Sequence, residues 1–267
     1  MCDNNISLQK HIVIMTPCYG GTCNVNYVTS LINTINTLKS FQINVSIEFC
    51  RNDSLITRAR NNLIGKAMNN PSITHFLFID SDIVWNPQDI LKLIASDKML
   101  IGGIYPIKNY NWSEINNELL SSITNIKENE ILLEKKISDA DLLRCKIVKY
   151  NLNYLDNVIQ IENNLIKVRH IATGFMMLRR ELITLMQKEY PETKYVDDVG
   201  FLSPEECNFT YALFDCGVLE GHYFSEDWMF CERWRKIGGE VFADISIDLT
   251  HTGQEDFKGS LIASLFH

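Results

Sequence analysis

No stretch of this 267-residue chain approaches the roughly 18 consecutive apolar residues that a membrane-crossing helix needs. The segment Met1–Lys10 is polar and lacks the apolar core of a signal peptide, so a cytoplasmic protein is expected. The eight cysteines are scattered without a Cys-x-x-Cys pair, which excludes the usual zinc spacing and predicts reduced thiols. The sequons at Asn111 and Asn208 then carry no glycan. No basic run exists, and acidic residues outnumber basic ones 33 to 25, for a formal charge of −8. That balance excludes a nucleic-acid surface, but not a nucleotide ligand whose charge a metal ion offsets. No Gly-x-Gly-x-x-Gly follows the first apolar run, so a dinucleotide domain is disfavoured. Between Ile107 and Ala172 there is no glycine or proline at all. Asn and Ile are used heavily, as in Asn61-Asn62 and Asn163-Asn164, a composition typical of AT-rich and often viral genomes.

Apolar content of 46% is that of a folded protein with a full core. The first hundred residues alternate strand and helix patterns. Strands are expected at His11–Met15, broken by Thr16-Pro17, then at 43–49, 75–79 and 99–101, the last closed by Gly102-Gly103. Helices are expected over Asn24–Leu38, from an Asp53 or Ser54 cap to about Met68, and over 87–95 behind Pro87. The order β-α-β-α-β-α-β predicts an α/β fold with a mostly parallel, helix-flanked sheet. Residues 107–168 read as a helical and β insertion in a single domain, with helices over 113–143 and two or three strands over 145–168. Such an insertion serves as a lid or acceptor platform, or as a homo-oligomer surface. The core resumes at His170–Leu178 with a helix from Arg180 to Lys188. Ser225 opens a further helix that stops at Gly238-Gly239, before strands at Glu240–Ala243 and Ile245–Leu249.

The run His75–Ile79 ends in Asp80-Ser81-Asp82. Carboxylates at i and i+2, at the carboxyl end of a buried strand, stand where ligands bind in open α/β sheets. They can meet around a hard divalent cation, which in turn can neutralise a diphosphate. Downstream lie Gly102-Gly103-Ile104-Tyr105-Pro106-Ile107-Lys108, Thr173-Gly174-Phe175-Met176, Ser225-Glu226-Asp227-Trp228 and His251-Thr252-Gly253.

This order of motifs resembles the GT-A fold, D-x-D-containing glycosyltransferases that use nucleotide-sugar donors. In particular it is similar to small glycosyltransferases of large viruses and phages, and more distantly to the enzymes that glycosylate collagen hydroxylysine. The resemblance covers most of the chain outside 107–168. It implies a metal-dependent hexosyltransferase that uses Mn²⁺ or Mg²⁺, a UDP-sugar donor (glucose first, then galactose), and a glycan or glycosylated, collagen-like protein acceptor. It implies metal ligation by Asp80, Asp82 and His251, with imidazole suiting Mn²⁺ better. Thr16, Pro17, Cys18, Tyr19, Asp53, Arg58, Asp80, Lys108 and Gly174 would hold the donor. Asp227, with Glu226 second, would be the base of an inverting transfer, and Trp228 would stack an acceptor sugar. A viral origin would place the protein in host cytoplasm or virion. Two other classes fit parts of the pattern. A haloacid-dehalogenase-type phosphatase would use Asp80, Asp82, Asp244 and Asp248. A non-catalytic nucleotide-sugar-binding protein would keep the fold alone.

Overall fold

The computed structural model describes residues 10–126, 137–155 and 158–265. Its centre is a sheet in the order β2 (Asn44–Arg51), β1 (His11–Cys18), β3 (His75–Ile79), β11 (Phe175–Arg179), β5 (Leu100–Gly103), β14 (Val241–Asp244), β10 (Leu165–Ile171) and β8 (Leu152–Tyr154). β1 pairs in parallel with β2 and β3, and β5 with β14. β11 is antiparallel to both β3 and β5, so β3 and β5 run alike. Most strands of the sheet therefore run in one direction, with β11 and β10 antiparallel to their neighbours, and the carboxyl ends of β1, β3, β5 and β14 share one edge with the start of β11.

Alternation along the strands splits the core in two. Val13, Met15, Phe76, Phe78 and Leu178 face one way, against α2 (Ile56–Met68), α6 (Arg180–Glu189) and α7 (Glu226–Lys236). Ile12, Ile14, Leu77, Ile79 and Met177 face the other, against α1 (Val25–Ser40) and α3 (Pro87–Ala95). The flanking helices thus cover both faces, as the alternating pattern requires.

Several expectations are corrected. β1 does not break at Thr16-Pro17 but continues to Cys18, because past Met15 it pairs with β2 alone, where proline is tolerated. β5 includes Gly102 and Gly103. A Cβ on Gly102 would stand 2.3 Å from the Phe175 carbonyl oxygen, so the close approach of β11 requires glycine there. The run His170–Leu178 is the end of β10 and the start of β11, which are joined across Ala172–Gly174, run in the same direction and are separated in the sheet by β5 and β14. Ile245–Leu249 is not a strand. The Asp244 carboxylate accepts bonds from Ser246 N and Oγ, which turns the chain. The 107–168 segment is only partly separable. Its strands β8, β9 (Ile161–Glu162) and β10 join the main sheet. Helices α4 (Asn117–Ile126) and α5 (Asp139–Ile147) instead cluster with α8 (Leu261–Leu265) around Ile123, Leu142, Cys145 and Ala263. Residues 127–136 of the expected helical stretch lie outside the described residues. No described helix is long and apolar enough to cross a membrane, and the seven described cysteines are free thiols.

Gly102→Ala should destabilise the fold by at least about 1–3 kcal/mol, the usual range for overpacking a core. Urea denaturation followed by circular dichroism measures it, and an unchanged midpoint would show that β11 and β5 are not held this close.

Candidate active site

The Asp80-Ser81-Asp82 turn is pinned by three separate segments. Asp80 N donates to the Gly174 carbonyl at 3.1 Å, from the turn before β11. Asn24 N donates to Ser81 O at 2.9 Å, from the start of α1, and Thr252 N donates to Asp82 O at 2.8 Å. The turn is closed internally by Ile83 N to Asp80 O at 3.0 Å. Its backbone is thereby fixed before any ligand arrives.

The last of those bonds belongs to a small sheet that brings a distant segment home. β4 (Ile83–Val84) pairs antiparallel with β15 (Thr250–Thr252), with Ile83 opposite His251. That register sets His251 beside Asp82, with Nε2 3.4 Å from Asp82 Oδ2. His251 Nδ1 lies 2.9 Å from the Pro106 carbonyl oxygen. A carbonyl can only accept, so Nδ1 carries the hydrogen there and Nε2 is the nitrogen directed at Asp82. Tyr105 packs edge-on against the His251 ring, centroids 5.2 Å apart. The Tyr105 ring also occupies the space where a Gly174 Cβ would sit, 2.6 Å away, so Gly174 is required for packing as well as for anchoring Asp80.

Lys108, on β6 (Pro106–Tyr110), donates from Nζ to Asp82 Oδ2 at 2.5 Å. Burial alone would raise the Asp82 carboxyl, but the hydrogen bonds and charges of His251 and Lys108 outweigh it and hold the group below the ordinary carboxylate range.

Arg60, on α2, is the buried cation of the site. Its Nη2 donates to Asp80 Oδ1 at 3.0 Å and its Nε to Glu226 Oε1 at 3.2 Å. The guanidinium carbon also sits 5.3 Å above the Phe78 ring. Nη1 is buried with no hydrogen-bond partner among the described residues. One side chain therefore ties the D-x-D turn to the start of α7. There Asp227 is buried, its Oδ1 accepting from Ser225 Oγ and, at 2.9 Å, from Trp228 N. Burial pushes the Asp227 carboxyl up, and the neighbouring Glu226 charge adds to this, against the bonds from Ser225 and Trp228 and the Arg60 charge.

The structure brings together Asp82, His251 and Lys108, and separately Asp80, Arg60 and Glu226, with Asp227 adjoining in sequence. Among the described residues no three His, Cys, Asp or Glu side chains gather as a metal-holding group. Asp80 is turned to Arg60, while Asp82 and His251 stand together. A carboxylate oxygen beside an imidazole nitrogen whose far side is fixed by a carbonyl suits a divalent cation with two protein ligands.

Other expected donor residues are already engaged. Thr16 is fully buried and its hydroxyl bonds Tyr27 OH at 2.5 Å, so it faces the core. Pro17 lies within β1 beside Cys50. Asp53 does not cap α2, whose cap is Leu55. It grips Arg58 through two bonds, at 2.7 and 2.9 Å, and each satisfies the other. Tyr19 is different: it stands 78% exposed on the turn after β1, next to Gly20 and Gly21 in the left-handed region. Trp228 stacks on His170 at 4.9 Å between centroids, and His170 in turn bonds Glu232 at 2.9 Å, which gives both rings a packing role.

Arg60 is the residue the sequence reading passed over in favour of Arg58. Its signal was present, since Arg60, Leu63, Ile64 and Ala67 share one buried helical face. A buried arginine at such a position demands carboxylate partners. Asp244, which a haloacid-dehalogenase-type phosphatase would use with Asp80, is separated from β3 by β11 and β5. At about 4.8 Å per strand the gap is roughly 14 Å, and its carboxylate is taken by Ser246.

No protein-family model matches the sequence, and no curated protein does. Among solved structures the chain is similar to A197 from STIV, at 14% identity and TM-score 0.45, covering 91% of this chain and 86% of that one. It is similar to a glycosyltransferase involved in the glycosylation of the major capsid of PBCV-1, at 16% identity and TM-score 0.27, over 45% and 67%. It is also similar to UDP-glucose pyrophosphorylase complexed with UDP-glucose, at 10% identity and TM-score 0.40, over 88% and 89%. Those scores leave the geometry of the site to carry the functional reading.

Removing Arg60 would leave Asp80 and Glu226 facing each other without a cation. Arg60→Leu should cost about 3 kcal/mol, the low end for breaking a buried pair because Asp80 keeps contact with water. Arg60→Lys should recover part of it. Equal stability of wild type and Arg60→Leu in urea would contradict the bridging role.

Proposed function

We propose that this protein is a glycosyltransferase that moves a hexose from a nucleotide-sugar donor to a hydroxyl. The observation that carries this reading is the joining of two chemistries on one sheet edge. Asp82, His251 and Lys108 are gathered where they would hold a cation and a diphosphate. Asp227, buried and hard to ionise, starts a helix tied to that site through Arg60 and Glu226. A phosphatase of the haloacid-dehalogenase type would need Asp244 beside Asp80, and the intervening strands separate them.

The donor in this reading is a UDP-sugar, UDP-glucose first and UDP-galactose second. Tyr19 offers an exposed ring for the base on the turn after β1. Asp82 and His251 would hold Mn²⁺, or less readily Mg²⁺, which when bound neutralises charge on the departing nucleoside diphosphate. The Lys108 ammonium adds a second positive charge on that side. Asp227 accepts the proton of the acceptor hydroxyl as its oxygen bonds the anomeric carbon and the bond from that carbon to the diphosphate breaks. A carboxylate with a raised pKa is a stronger base once ionised, which suits this role. The reaction inverts the anomeric centre. The acceptor is a glycan or a glycosylated, collagen-like protein, and the 107–168 segment lies beside the site through Lys108.

Two outcomes test this. UDP should bind more tightly than GDP in Mn²⁺ by calorimetry, and the reverse order would overturn the base assignment. Asp227→Asn should lower transfer by about 10²–10⁴-fold with UDP affinity unchanged. The same variant should melt higher than wild type at pH 7. The folded-state pKa of Asp227 is raised, so its contribution to stability is fully present below the ordinary carboxylate range and is lost as pH rises through the folded value. The melting advantage of the variant should therefore be larger at pH 7 than at pH 4. A variant that melts lower at both pH values and loses UDP binding would make Asp227 structural.

A further inference from the structure

Asp82 Oδ2 has two claimants. Lys108 Nζ lies on it at 2.5 Å, and the same oxygen is the one that faces His251 Nε2 at 3.4 Å. An oxygen that ligates a divalent cation cannot keep an ammonium on the same lone pairs, and the two positive charges repel at that range. Lys108 is held there by shape as well as by charge. Its stem lies over Gly253, where a Cβ would stand 2.9 Å from Lys108 Cδ. The His-Thr-Gly segment that supplies the imidazole therefore also seats the lysine. Lys108 is nonetheless free to leave. It sits where the pairing of β6 with β7 (Val148–Tyr150) is irregular, between Pro106 and Tyr110, and 36% of its side chain is exposed.

We propose that Lys108 is a tethered counter-ion that competes with a divalent cation for Asp82, and that a donor diphosphate relieves the competition by drawing the ammonium away. The proposal rests on the nucleotide-sugar reading above and adds a thermodynamic consequence. Without nucleotide, Lys108 weakens cation binding and masks the exposed carboxylate. With nucleotide, the ammonium transfers its hydrogen bonds from Asp82 to phosphate oxygens, and Asp82 becomes available to the cation. Nucleotide and cation then bind with positive coupling beyond that from their direct contact, and Lys108 is the side chain that carries the excess. Lys108 is in this sense a positioning residue for the order of assembly.

The test is Mn²⁺ binding followed by the electron paramagnetic resonance of free Mn²⁺, with the whole chain, with and without UDP. Wild type, Lys108→Met, Lys108→Gln and Asp82→Ala are compared. Without UDP, both Lys108 variants should bind Mn²⁺ more tightly than wild type, by roughly 5-fold or more, the lower bound of ordinary site coupling. UDP should tighten Mn²⁺ binding by a larger factor in wild type than in either variant. UDP alone, measured by calorimetry without metal, should bind the variants more weakly than wild type. Asp82→Ala should bind Mn²⁺ weakly throughout. If both Lys108 variants bind Mn²⁺ no more tightly than wild type in the absence of UDP, the competition is refuted while the nucleotide-sugar reading stands. If the variants bind UDP as well as wild type does, the handover is refuted. If wild type and variants all fail to bind Mn²⁺, with or without UDP, the cation reading falls and the proposal falls with it.

Discussion

Carboxylates from two distant parts of the chain must share one sheet edge, and a single buried guanidinium makes that arrangement tolerable. Asp80 comes from the end of β3 and Glu226 from the start of α7, and Arg60 donates to both. Without that cation the two acids would repel in surroundings of low dielectric, where charge interactions are several times stronger than in water. The partition of the site follows from it. Asp80 is occupied by Arg60, so Asp82 is left to face His251 and Lys108. Asp227 follows Glu226 directly and is carried into a buried position, where its charged form is disfavoured.

The sheet converts this electrostatic constraint into geometry. Parallel strands β1, β3, β5 and β14 end on one edge, and the turn at Ala172–Gly174 reaches the same edge because β11 runs antiparallel between β3 and β5. The Gly174 carbonyl then holds Asp80, and its missing Cβ admits the Tyr105 ring, which in turn packs on His251. The β4–β15 pairing completes the site by placing a residue from near the end of the chain one hydrogen bond from the D-x-D turn.

What could be read from sequence depended on whether the deciding interaction was local. β3 at His75–Ile79 and α3 at Pro87–Ala95 match their expected bounds, because a continuous apolar run and a capping box at Asn86 are written within a few residues. The D-x-D turn and the helix start at Ser225 were legible for the same reason. Pairing decided the rest. Thr16 turns inward because its hydroxyl bonds that of Tyr27, and Pro17 stays in β1 because β3 stops pairing at Met15. Asp53 and Arg58 look like ligand residues in isolation but satisfy each other. Arg60 lies on a helical face whose apolar spacing is local, but the carboxylates that explain it are 20 and 166 residues away in sequence.

The proposed function requires this edge of the sheet to bind a nucleotide sugar and cleave its glycosyl–phosphate bond. A panel of UDP-, GDP-, CMP- and dTDP-sugars, incubated with the protein in Mn²⁺ and in chelator, measures it without a known acceptor. Slow release of UDP from a UDP-hexose is expected in Mn²⁺, absent in chelator and absent in Asp82→Ala. Release of no nucleotide from any donor, or release that Asp82→Ala and chelator leave intact, would contradict it.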